Sequence, residues 1–259
     1  MKLPLYQVDA FTDRPFTGNP AAVCPLDAWL PDDLMQKIAA ENNLSETAFF
    51  VRQGKEYRIR WFTPAVEIDL CGHATLASGW VLYHALGYRG EAIRFLSASG
   101  PLTVREKGDR LELDFPASPP RSCPAPELLA RGLGREPLEV LRSDDYLVLL
   151  ADQEQVRTLA PDFRILARLD CRGIIVTAPG TEADFVSRFF APGLGIDEDP
   201  VTGSAHCTLT PFWAKRLGRN VLKARQLSSR GGELECELHR ERVLIRGMAV
   251  LYLAGTIRI

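Results

Sequence analysis

Two stretches decide how this chain folds: Ile68-Asp69-Leu70-Cys71-Gly72-His73-Ala74-Thr75 and Glu198-Asp199-Pro200-Val201-Thr202-Gly203-Ser204-Ala205. In each, an acidic, extended approach meets a glycine, then a small polar run, then about a dozen mostly apolar residues closed by another glycine. The apolar runs are Ala74 to Leu86 before Gly87 and Ala205 to Leu217 before Gly218. That is start and stop chemistry for a helix. The first helix has polar side chains only at Thr75, Ser78 and His84, so it lacks a wide solvent-facing stripe and reads as enclosed by protein. A buried helix whose N-terminus carries free backbone N–H groups is a seat for an anion. Pro211, inside the second helix, should kink it or break its hydrogen bonding locally.

Further matches lie around these stretches. Arg60-Trp61-Phe62-Thr63-Pro64 returns as Arg188-Phe189-Phe190-Ala191-Pro192, and Leu96-Ser97-Ala98-Ser99-Gly100 returns as Leu227-Ser228-Ser229-Arg230-Gly231. With Cys71-Gly72-His73-Ala74 and Thr202-Gly203-Ser204-Ala205 between them, the offsets are 128, 131 and 131 residues. Three matches in one order at nearly constant offset indicate an internal duplication. The chain of 259 residues exceeds the usual single core, so two lobes of roughly 120 to 130 residues are expected. The proline-rich run 116–126 is the boundary between them, giving lobes 1–117 and 118–259, with the last strands free to cross back to the first lobe.

Composition narrows the function. The 31 basic and 33 acidic residues nearly cancel and no Lys/Arg block stands out, which argues against nucleic acid or an anionic membrane as partner. A small-molecule ligand is expected. No apolar run approaches a membrane span and the first residues lack a signal-peptide core, so a cytoplasmic protein is expected. Six scattered cysteines with no Cys-x-x-Cys pair read as reduced thiols.

Along the first half, Tyr6 to Phe11 alternates as a strand, and residues 12–20 are dense in turn formers and read as a loop. Pro31 opens a short helix that stops at Asn42-Asn43. Glu46 stands at the threshold of a strand that continues through Ala48-Phe49-Phe50-Val51, and strands follow at 57–62, 92–95, 102–105 and 111–115. In the second half, a helix near 126–131, strands at 146–150 and 173–177, and a helix or turn at 153–159 are expected.

In order, the motifs Gly18-Asn19-Pro20, Ser45-Glu46-Thr47, Cys71-Gly72-His73-Ala74-Thr75 and Asp197 to Ala205 make the chain resemble the PhzF family of phenazine-biosynthesis-like isomerases, which shares the diaminopimelate epimerase fold. The resemblance covers essentially the whole chain. It implies an α+β fold of two similar lobes, each a curved, mostly antiparallel sheet or barrel around a central helix, with the active site in the cleft between them. It also implies a homodimer and a substrate that is a small carboxylate-bearing metabolite.

Site residues follow from the same resemblance. Glu46 corresponds to the general acid/base that moves a proton on the substrate, a role for which a carboxylate flanked by apolar residues is suited. Taken alone, Glu46 is one of 33 acidic residues, most of which are solvated surface charge. His73 alone would be read as a capping or packing residue, but its repeat counterpart Ser204 pairs with it in the family. Asp199, within an acidic trio that otherwise reads as a solvated loop, helps position the substrate and His73 in the family, and with Glu46 and His73 it is expected to be catalytic, as a partner in proton transfer more than as the principal base. Gly72, Thr202, Gly203 and Ser204 mark the two helix starts as substrate-binding, and Gly18 and Asn19, most simply turn residues, lie in a family segment that contacts ligand.

The four histidines have no zinc-site spacing, and there is no Walker loop and no Gly-x-Gly-x-x-Gly after a strand, so neither metal nor cofactor is expected. Two competing readings remain. A two-base amino-acid epimerase would use a cysteine at each helix start, but the second start has Thr202 where the first has Cys71. A non-catalytic ligand-binding protein could keep the same fold, and deuterium incorporation into carbon would separate it from an enzyme.

Overall fold

In a computed structural model, which describes residues 1–259, the chain forms two compact units, residues 1–114 with 246–259, and residues 115–245. The first unit contains β1 (Lys2–Ala10), β2 (Asn19–Leu26), α1 (Asp32–Asn42), β3 (Glu46–Gln53), β4 (Glu56–Phe62), β5 (Glu67–Ile68), α2 (Gly72–Trp80), β6 (Ala92–Ser97), β7 (Gly100–Lys107) and most of β8 (Arg110–Pro116), whose last two residues belong to the second. Next come β9 (Arg121–Ser122), α3 (Glu127–Leu133), β10 (Glu139–Arg142), β11 (Tyr146–Leu149), α4 (Gln153–Arg157), α5 (Phe163–Leu166), β12 (Ile174–Pro179) and β13 (Phe185–Ala191). The chain ends with β14 (Ile196–Asp199), α6 (Gly203–Leu217), β15 (Val221–Gln226), β16 (Gly232–His239), β17 (Arg242–Gly247) and β18 (Ala249–Arg258), which pairs antiparallel with β1.

The duplication extends to strand pairing. In the first unit β1–β2 is antiparallel, β2–β3 parallel, β3–β4 and β4–β5 antiparallel, β4–β6 parallel and β6–β7 antiparallel. The second unit repeats the same series with β10 to β16. Side chains repeat too. Arg60 grips Glu67 with two hydrogen bonds of 2.6 Å and lies over Phe62, while Arg188 grips Glu198 at 2.7 and 2.8 Å and lies over Phe190. Bidentate guanidinium–carboxylate pairing fixes both partners in angle as well as distance, so each clamp sets the approach to its helix.

Alternation along β3 sorts its side chains. Phe49 and Val51 face α1 in a cluster with Met35 and Ile38, leaving Glu46, Ala48 and Phe50 on the opposite face. That face meets α2, which packs against β1, β2, β3 and β7 and has eight of nine residues buried. Its buried hydroxyls are satisfied within the helix, Thr75 and Ser78 donating to the carbonyls of Cys71 and Ala74. A glycine at 79 is needed because any side chain would run into Val104 of β7.

Two features differ from the sequence expectation, and a third, the break of hydrogen bonding at Pro211, follows it. Residues 19 and 20, placed above in a loop, begin β2, whose two prolines hid it. The expected α2 run to Leu86 changes hydrogen bonding at Val81, where Leu86 N–H donates to the Val81 carbonyl five residues back. The repeat position of Trp80, where that change begins, is Pro211 in α6. There the helix stays continuous but loses one internal bond, and the Cys207 carbonyl left over accepts from Ser118 N–H at 2.9 Å. Both helices stop where expected, with Gly87 and Gly218 at positive φ. All six cysteines are free thiols, and no helix is long and apolar enough to cross a membrane.

Candidate active site

The first unit concentrates its buried polar chemistry where α2 begins. Cys71 is the extended cap residue (φ −141°), Gly72 takes the first helical position, and His73 follows, 4% exposed. Glu46, 7% exposed at the start of β3, brings Oε2 to 3.0 Å from His73 Nε2. The approach is off the ring N–H axis, so the two atoms form a close polar contact without an aligned hydrogen bond, and neither has another partner. On the other ring edge, Asn19 Nδ2 lies 3.2 Å and Cys71 Sγ 3.5 Å from Nδ1. Structure thus brings Glu46, His73 and Asn19 together, with Cys71 as a fourth member.

Gly18 explains how Asn19 arrives. The loop from β1 passes through positive φ at Phe11, Phe16 and Gly18, and a side chain at Gly18 would collide with the Ala10 carbonyl. Gly18 therefore works by close backbone approach, seating fully buried Asn19 on the β2 face that looks at α2. Register agrees, because Ala21, two residues on and on the same face, stands opposite Glu46.

Burial opposes charge on His73, but Cys71 and Glu46 beside it outweigh that effect and raise its pKa well above the ordinary imidazole value. The Cys71 thiol is pushed up to about 11, first by burial and then by Glu46. Glu46, Cys71 and His73 offer an oxygen, a sulfur and a ring nitrogen within 4.8 Å of one another, close enough in spacing for a cation. A metal would have to displace the proton of Cys71 and the Asn19 and Cys71 contacts already made at Nδ1.

The second unit builds a different cluster where α6 begins. Thr202, the extended cap residue, donates from Oγ1 to Asp199 Oδ2 at 2.5 Å. Its own N–H donates to Gln226 Oε1 at 2.9 Å, and Gln226 Nε2 donates to the Asp199 carbonyl at 2.8 Å and to Thr202 Oγ1 at 3.1 Å. Gly203 is the first helical residue. Ser204 receives the Arg172 guanidinium at 3.3 and 3.4 Å, and Arg172 in turn clamps the buried carboxylate of Asp145. Gln226 and Arg172 were not singled out from sequence. Gln226 had one signal, since it immediately precedes the repeated Leu227-Ser228 and stands where the first copy has Phe95.

Residues 8–255 match the family described as phenazine biosynthesis-like protein, PhzC-PhzF. A Pseudomonas aeruginosa protein named an uncharacterized isomerase is 56% identical over the full length of both chains. A human phenazine biosynthesis-like domain-containing protein is 41% identical, with 99% of each chain covered. Among solved structures, a PhzF-family protein from Enterococcus faecalis superimposes with a TM-score of 0.98 at 49% identity, covering all of both chains. A hydroxyproline epimerase from Agrobacterium vitis, 9% identical with a TM-score of 0.63 over 99% of this chain and 92% of its own, shares the fold alone. The chain belongs to the PhzF family of phenazine biosynthesis-like proteins, with the epimerase-like fold of that group, and it is an enzyme of the isomerase class.

Proposed function

We propose that the chain moves a proton on a small carboxylate-bearing metabolite by general acid/base catalysis, with Glu46 as the proton carrier and His73 as its partner. One carbon–hydrogen bond next to an electron-withdrawing group breaks as Glu46 takes the proton. A proton returns at another atom as the double bond shifts, so the reaction needs no net oxidant or reductant. Backbone N–H groups at Gly72 and His73 suit the substrate carboxylate. Asp199, Thr202, Gly203 and Ser204 are assigned to ligand binding, with Asp199 as a partner in proton transfer.

The observation that carries this reading is the unaligned contact between Glu46 Oε2 and His73 Nε2 at 3.0 Å, both atoms buried and without a further partner. Unsatisfied buried polar atoms are costly, and such atoms are retained where a ligand completes them. The two-thiol epimerase reading has less support. Cys71 holds its proton up to about pH 11, and Thr202 spends its hydroxyl on Asp199.

The test is incubation with a panel of small amino and hydroxy carboxylates in D₂O, following deuterium entry into carbon. Parent protein should label at least one compound, and Glu46→Gln, which keeps the shape and removes the titrating group, should label it orders of magnitude more slowly. Near-normal labelling by the variant would sink the assignment of Glu46.

A further inference from the structure

We infer that Asn19 is a positioning residue that decides which ring nitrogen of His73 holds the proton, keeping Nδ1 as acceptor and Nε2–H toward Glu46. The inference rests on the acid/base reading above and deepens it.

The argument is one of donors and acceptors. A primary amide nitrogen only donates, so Asn19 Nδ2 at 3.2 Å from Nδ1 requires a lone pair on that ring nitrogen. The Cys71 sulfur, which keeps its proton, is a second donor 3.5 Å from the same atom. Two donors on one edge leave the neutral ring a single tautomer, with its hydrogen on Nε2, the edge that faces Glu46. A second proton has to enter at Nδ1 against both donors, so the Asn19 amide must turn over to offer its carbonyl. Asn19 thereby opposes the pull of Glu46 toward a permanently charged ring.

Apart from the Cys71 thiol, the weaker donor of the two, no other group around His73 performs this task. On β1, Asp9 has its carboxylate engaged by Phe16 N–H at 3.0 Å. β7 meets α2 through Val104, while its Glu106 pairs with His84 at 3.7 Å. β18 carries no carboxylate, imidazole or thiol. The charged or titratable neighbours of the ring are Glu46 on β3 and Cys71 at the start of α2, and Asn19 is the uncharged group between strand and ring. Its place is set by backbone, since Gly18 admits the chain against β1 and β2 register places residue 19 beside Ala10.

The experiment is ¹⁵N-histidine labelling and two-bond ¹H–¹⁵N spectra across pH. There are four histidines, and His73→Gln assigns the relevant signal. As pH rises, the proton of the parent His73 should leave Nδ1 and the neutral ring should carry Nε2–H. Asn19→Asp, equal in shape but only an acceptor when ionised, should move the neutral hydrogen to Nδ1 and raise the His73 pKa by about one unit or more. Asn19→Ser, which can still donate, should restore the parent tautomer. The histidine limb of the kcat/KM profile should follow these shifts, whereas a packing role would lower activity without moving the limb. A parent ring with neutral Nδ1–H overturns the inference even if no variant folds, as does an unchanged spectrum in folded Asn19→Asp. An active Glu46→Gln together with the expected tautomer would overturn the catalytic assignment and leave this one standing.

Discussion

The starts of α2 and α6 descend from one sequence and now stand in opposite conditions. Each follows an Arg–Glu clamp, begins with an extended residue and a glycine, and lacks a side-chain cap. At the cap of α6, Thr202, Asp199 and Gln226 close four hydrogen bonds among themselves, and His206 Nε2 in the turn that follows is the buried atom left without a partner. At α2 the carboxylate and imidazole are brought close without a good bond between them. Saturation holds a shape, and a contact left incomplete retains the capacity to bind or react. The buried histidines diverge in the same sense. Burial opposes charge at both, but at His73 the neighbouring Cys71 and Glu46 prevail and the pKa is raised, whereas at His206 burial prevails over the Thr202 carbonyl and lowers the pKa to about 4.

The largest expected effect falls on the incomplete side. Glu46→Gln should cut turnover by about 10³-fold with little change in thermal stability, measured by deuterium incorporation and by calorimetry. A large loss of stability with modest loss of turnover would erase the contrast between the two starts. At the α6 cap, Gln226→Leu removes three hydrogen bonds and leaves the buried Thr202 N–H without its acceptor, and should cost about 2–3 kcal/mol in urea unfolding. A cost below about 0.5 kcal/mol would mean that this network does not hold α6 in place.

A pH experiment sharpens the histidine contrast. Unfolded His206 takes a proton near its ordinary pKa of 6.5 while the folded ring waits until about 4, so folding loses stability as pH falls through that window. Between pH 7 and 4.5 the parent should lose about 2 kcal/mol more than His206→Gln. His73 has the opposite sign: its raised folded pKa favours folding fully below 6.5, and the contribution fades as pH rises through the raised value. Equal acid slopes in parent and His206→Gln would remove His206 from the account. The smallest effect is expected from Cys71→Thr, which installs the residue of the second start in the first. Activity should fall less than about tenfold, and complete loss in a folded variant would restore the thiol reading.

Much of this was legible in sequence because it depends on local patterns. Gly72 and Gly203 open helices, Gly87 and Gly218 close them, and alternation after Glu46 puts it on a defined strand face. The missing parts depend on pairs far apart in the chain. Asn19 and His73 are 54 residues apart, and in sequence Asn19 is only a turn former beside a proline. β2 was hidden because Pro20 and Pro25 argue locally against a strand, while its pairing with both β1 and β3 overrides them. Gln226 differs from any strand glutamine only through its partner Thr202, 24 residues earlier. The change of hydrogen bonding at Val81 has no proline to announce it.

The Cys207 carbonyl ties one event in the life of this chain to another. Because Pro211 cannot supply the N–H that would close that turn, α6 is complete only when Ser118 has docked against it. Ser118 lies in a proline-rich stretch outside any strand or helix, where amide hydrogens normally exchange quickly with solvent. Its amide should instead exchange on the slow timescale of the α6 core, and Pro211→Ala, by giving Cys207 a helical donor, should release it to the fast rate of its neighbours.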